Sequence, residues 1–119
     1  MTDLVACLSS GKGTWGHVAK LIEDAAFENV YIVTDSFGKE NFKPAKNNTH
    51  LIVIDPNKTI SEMAEDVTNN LKGKLKGLDV AINIVSGSGK EHMAVISAVL
   101  KLGFGIRFIA FTPEGIKEI

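Results

Sequence analysis

Apolar residues along the chain fall into two kinds of pattern. Leu4–Leu8, Val30–Thr34, Leu51–Ile54, Val80–Val85 and Ile106–Phe111 are dense runs of strand length, rich in β-branched side chains. Between them, apolar positions recur every three or four residues. From His17 the recurrence runs through Val18, Leu21, Ile22, Ala25 and Ala26, predicting a first helix. Ile60, Met63, Ala64, Val67 and Leu71 give a second helix one apolar stripe, and Thr59 with Glu62 three places on predicts a capping box at its start. Met93–Leu102 predicts a third helix, with Lys90 in its first turn. Thr112, Pro113, Glu114 and Gly115 predict a turn, and Ile116–Ile119 a short sixth strand. The polar stretch from Ser36 to Asn48 has no long periodicity; it predicts a loop with one helical turn near Lys39–Phe42.

Strands alternating with helices predict βαβ units, a mainly parallel sheet of five to six strands and helices on both faces: a Rossmann-like three-layer sandwich. The fourth run, VAINIV, is almost continuously apolar, as suits a central strand covered on both sides. The common doubly wound order, 3-2-1-4-5, would make strands one and four neighbours at the topological switch point. The helix spanning 90–102 is apolar nearly all round, whereas an outer helix normally keeps a polar face. A second copy of the chain is therefore expected to cover its far side, with Val95 or Val99 pointing outward into a homodimer interface.

At 119 residues, the sequence is the length of one domain, residues 1–119. With 13 basic and 14 acidic side chains, it has no charge excess to suit duplex DNA or long RNA. A compact anion held by a few local cations and backbone amides remains open. A single cysteine, Cys7, requires no oxidising compartment. No apolar stretch reaches membrane-spanning length, and the chain opens on an acid, so a cytoplasmic protein without a membrane partner is expected. Three dispersed histidines and one cysteine make no metal constellation, and no cofactor is implied.

Two small-residue loops carry the chemistry. Ser9-Ser10-Gly11-Lys12-Gly13-Thr14-Trp15-Gly16 follows the first strand, and Ser86-Gly87-Ser88-Gly89-Lys90 follows the fourth. Each precedes a helix, so each can offer unpaired amides and a positive dipole end to an anion. Neither is a Walker loop, since Lys90 and Lys12 are preceded by Ile84 and Ala6 where the first glycine belongs. Gly11-Lys-Gly13-Thr-Trp-Gly16 does match the dinucleotide pattern G-x-G-x-x-G, with Asp35 near the place of a ribose-binding acid. An NAD- or nucleotide-binding module using Gly11–Gly16 and Asp35 is thus the alternative reading.

Strand four ending Asn83-Ile-Val, then Ser86-Gly87-Ser88-Gly89-Lys90 and an apolar helix with Met93, resembles the CRISPR-associated Rossmann-fold (CARF) family. Members carry an N-x-T/S-G-G-T/S-K-type turn here and a small-residue turn after strand one, where this chain has Ser9-Ser10-Gly11-Lys12-Gly13. The chain departs in Ser88, which replaces the second glycine, and in Glu91-His92, where proline is common. The resemblance implies a homodimer whose paired crevices bind a cyclic oligoadenylate on the two-fold axis. It implies a signal sensor or a metal-independent ring nuclease in antiviral defence. In the latter, a ribose 2′-hydroxyl attacks the adjacent phosphate, assisted by a first-loop serine and the fourth-strand lysine. By position these are Ser10 (Ser9 less well placed) and Lys90. The ligand-binding set implied is Ser9, Ser10, Gly11, Lys12, Gly13, Trp15, Ser86, Gly87, Ser88, Gly89, Lys90 and His92.

Each has a plainer reading. The serines suit caps and turns. Trp15 suits a base-stacking platform or a loop anchor. His17 and His92 suit acid–base or surface roles. Asp35 and Asp55 suit strand-end turns, while Cys7 and His50 read as structural.

Overall fold

The computed structural model describes residues 2–8, 13–44 and 46–119, and the expectations placed on Ser9, Ser10, Gly11 and Lys12 lie outside them. Strands β1 (Leu4–Leu8), β2 (Val30–Thr34), β3 (Thr49–Val53), β4 (Asp79–Asn83), β5 (Gly105–Thr112) and β6 (Gly115–Glu118) form one sheet in the order β3-β2-β1-β4-β5-β6. The first five are parallel, and β6 returns antiparallel to β5. The expected order is therefore present, with β1 and β4 side by side and Ala6 opposite Asn83.

β1 and β2 are buried at every position because both faces of the sheet are covered. Val5, Cys7, Tyr31, Val33, Val80 and Ile82 face one core, beneath helices α3 (Ile60–Leu71) and α4 (Gly89–Lys101). Leu4, Ala6, Leu8, Val30, Ile32 and Ala81 face the other, beneath α1 (Trp15–Asp24) and Phe42, which follows α2 (Ser36–Asn41). Period-two alternation along each strand assigns these residues to the two layers. Among the described residues, no helix is long and apolar enough to cross a membrane.

Three expectations need correction. The helical turn expected near Lys39–Phe42 lies earlier in the segment after β2, over Ser36–Asn41, and the described residues from there to Asn48 are irregular. That turn is the short helix α2, started by Asp35, whose Oδ1 accepts from Gly38 N at 2.9 Å. A cap, not apolar periodicity, specifies so short an element. Val95 and Val99 do not point outward: both are fully buried, because α4 packs on α3 as well as on the sheet and its inward arc is wide. The outer apolar positions are Met93 (62% exposed), half-buried Ile96 and Leu100 (57% exposed), spaced at i, i+3 and i+7 on one stripe. β4 stops at Asn83 instead of reaching Val85, where the Val85 amide donates to Asn83 Oδ1 at 3.3 Å in a local turn.

Candidate ligand-binding crest

The carboxyl ends of β1 and β4 adjoin, and the turn after β4 is tightly specified. Ser88 caps α4: its Oγ accepts from Glu91 N at 3.3 Å, and Glu91 Oε1 accepts from Ser88 N at 2.7 Å. This is the same reciprocal pair as Thr59 and Glu62 on α3, legible as S-x-x-E but not read so from the sequence. Glu91 is 5% exposed, so its carboxylate already complements the positive end of α4. Its negative charge also adds to burial, the larger cause, in pushing the Cys7 thiol up to about 12; Cys7 is no nucleophile at neutral pH.

Gly87 is the hinge of this turn. Its φ is +102°, and a Cβ there would meet Cys7 Cβ and His92 Nε2 at 3.1 Å each. Only glycine serves both the backbone angle and the close approach to β1. His92 Nε2 lies 2.8 Å from the Ser86 carbonyl, to which it donates, and so closes the turn. Ser86 is buried beneath it. The ammonium of Lys90 does not lie free in the crevice; it donates to the Pro56 carbonyl at 2.9 Å, joining α4 to the loop between β3 and α3.

On the opposite flank, Asn83 is a buried junction. Its Nδ2 donates to the Ile109 carbonyl at 2.8 Å and lies 3.1 Å from His17 Nε2, while its Oδ1 accepts from Val85 N at 3.3 Å. His17 Nε2 also lies 3.3 Å from Phe111 N. Both of its neighbours there are donors, so Nε2 takes the acceptor role and the ring proton sits on Nδ1. One asparagine and one histidine thus tie α1, β4 and β5 together at the crest. In the sequence, the signal of this junction is a polar residue inside an otherwise apolar strand.

The first loop is described from Gly13. Trp15 opens α1 and packs against the rings of Phe37 and Phe42, with centroids 5.9 and 6.1 Å away. It lies at the edge of the α1 core, an anchor between α1 and the chain around α2. Gly16 lies in the first turn of α1, and among the described residues a Cβ there would meet nothing within 4 Å. In a dinucleotide site the third glycine permits close helix–strand packing, a demand absent here. Asp35, the acid of that reading, caps α2 with Oδ1.

Asp35 also borders an open cavity of about 550 Å³ beyond the ends of β2 and β3, with Phe37, Val53, Asp55 and Pro56 among its lining. Because Pro56 accepts from Lys90, the crest and this cavity share a rim. Asp55 stiffens that rim by accepting from Asn57 N at 2.9 Å. His50 stacks on Tyr31 at 5.4 Å, away from the crest on the edge strand. Among the described residues, no three His, Cys, Asp or Glu side chains are placed to hold a metal ion. Compared with models of protein families and with curated proteins, the sequence matches none.

Proposed function

We propose that the chain binds a cyclic oligoadenylate across the carboxyl ends of β1 and β4, as a homodimer, in the manner of the CARF family it resembles. The observation that carries this reading is the pairing of β1 with β4, which sets side by side, at the switch point, the strand ends that the two glycine- and serine-rich loops follow. Lys90 is a cation beside that edge, and among the described residues the exposed Gly13 and Gly89 leave room for a phosphate to approach the backbone. An incoming phosphate would take Lys90 from the Pro56 carbonyl, exchanging a neutral acceptor for a charged one.

A ring with two-fold symmetry suits two identical crevices. The stripe of exposed Met93 and Leu100 with half-buried Ile96 on α4 supports the second copy, since apolar side chains on one helix face favour burial. The double variant Met93→Glu/Leu100→Glu is expected to sediment as a folded monomer whose melting temperature no longer rises with protein concentration. A wild type that is monomeric at micromolar concentration would contradict the dimer.

The protein acts either as a sensor or as a ring nuclease using Ser10 and Lys90. Incubation of the wild type with cyclic tri-, tetra- and hexa-adenylate in the presence of a chelator separates the two. Linear products would mark the nuclease, and intact bound ring after hours the sensor. Micromolar NAD binding with no response to any ring would overturn the proposal.

A further inference from the structure

The two edges of the sheet are not alike. β6, at one edge, is four residues long and carries exposed Lys117 and Glu118, and short charged strands discourage further pairing. β3, at the other edge, reads THLIV, with no acid, lysine or proline. Its ladder to β2 uses alternate residues: the Asn48 carbonyl accepts from Val30 N at 3.0 Å, and Ile54 N donates to the Thr34 carbonyl at 2.8 Å. By that parity His50 and Ile52 bond inward, while Leu51 and Val53 turn their N–H and C=O groups outward. Among the described residues, nothing bonds to those outward groups.

A cavity of about 210 Å³ opens beside this edge, lined by Tyr31, His50, Leu51, Ile52, Asn70 and Lys74. It is smaller than most small-molecule sites and suits a single side chain. The His50 ring stacks on Tyr31 at 5.4 Å, and the Tyr31 hydroxyl donates to the Lys74 carbonyl at 3.4 Å, which holds Lys74 at the rim. Neither the exposed Lys74 ammonium nor the His50 ring has a hydrogen-bond partner among the described residues. The lining contains no acid. Two carboxylates lie near it, and both are engaged. Asp66, one turn before Asn70 on α3, holds Lys58 at 2.9 Å. Asp3, whose charge acts on the Tyr31 hydroxyl, is buried and accepts from the Asn29 and Lys76 amides.

We infer that β3 is a docking edge for an extended acidic peptide, which adds a strand through Leu51 and Val53 and lays a carboxylate between His50 and Lys74. Main-chain bonds supply the affinity, and the cation-lined cavity selects the side chain. A second copy of β3 fits less well, since THLIV has no acid to offer the partner's cavity. The inference is independent of the oligoadenylate reading, which concerns the carboxyl ends of β1 and β4.

The probes are two capped peptides, Thr-Val-Glu-Val-Thr and its counterpart Thr-Val-Lys-Val-Thr, read by backbone amide shifts of the labelled protein. The glutamate peptide is expected to saturate shifts at residues 49–53 and 70–74. The lysine peptide should bind several-fold more weakly at low salt, and the gap should narrow as salt is added. Lys74→Glu should invert that preference. Val53→Pro removes an outward N–H and leaves the β2 ladder intact, as proline can on an edge strand. It should weaken the glutamate peptide at least about fivefold, the worth of one main-chain hydrogen bond. If the proline variant melts early, Lys74→Glu decides, because that side chain is exposed. No saturable shift at millimolar peptide, equal binding of the two peptides, or an unchanged preference in Lys74→Glu would each overturn the inference. So would a wild-type dimer that Val53→Pro dissociates, which would assign the edge to a second copy.

Discussion

Asn83→Ala is expected to destabilise the fold by about 2–4 kcal/mol, the range for breaking a buried hydrogen-bonded junction. Asn83 is 2% exposed and holds three elements at once: the Ile109 carbonyl of β5, the His17 ring of α1 and the Val85 amide that begins the turn after β4. Truncation leaves the Ile109 carbonyl short of a donor in a dry environment and opens a small void beside it. For a chain of this size the melting temperature should fall by roughly 10 °C. Asn83→Asp separates hydrogen bonding from volume. It keeps the size and the Oδ1 acceptor for Val85 but places an oxygen against the Ile109 carbonyl, so it too should melt well below the wild type. An Asn83→Asp protein that melts with the wild type in a thermal scan would mean that the donor at this position does not matter.

Lys90→Ala is expected to weaken cyclic oligoadenylate binding by about one to two orders of magnitude, from the loss of a charge-assisted hydrogen bond worth roughly 1.5–3 kcal/mol. Folding should change by less than about 1 kcal/mol, because the bond it makes in the free protein, to the Pro56 carbonyl, is exposed. Asn83 holds the crest together, whereas Lys90 is the residue proposed to meet the ligand. If the ring is cleaved, Lys90→Ala and Ser10→Ala should reduce turnover more than binding, since charge on the phosphate grows in the transition state. Calorimetric titration gives the binding half and product chromatography the kinetic half. A Lys90→Ala variant that binds the ring as tightly as wild type would make Lys90 a strap between α4 and the Pro56 loop and nothing more.

The strand–helix alternation was legible because its strongest runs are dictated by burial on both faces. β1 begins and ends where its apolar residues do, and β2 runs one residue further, to the buried Thr34. β3 starts two residues before its apolar run, at Thr49, because an edge strand tolerates the polar Thr49 and His50. α2 was illegible as a helix: six residues give no period, and its only signal is the capping acid, Asp35. Ser88 and Glu91 were not legible as a pair, because a glycine- and serine-rich turn before a helix suits an anion as well as a cap. The inward side of α4 could not be chosen from a helix apolar nearly all round; contact with both α3 and the sheet buries Val95 and Val99 and leaves Met93 and Leu100 outside. The cavity beside Asp35 was out of reach for another reason. It is made by loops after β2 and β3 that approach one another only once the sheet is assembled.

The central claim is that the joined ends of β1 and β4 hold an anionic ring. The most direct measurement is an amide-shift titration of the wild-type protein with cyclic tri-, tetra- and hexa-adenylate, beside NAD as the competing ligand. Saturable shifts centred on residues 13–17 and 84–92 with one of the rings, saturating at one ring per two chains and weakened in Lys90→Ala, are the predicted result. Shifts produced by NAD alone, or by no ring at any concentration reached, would contradict it.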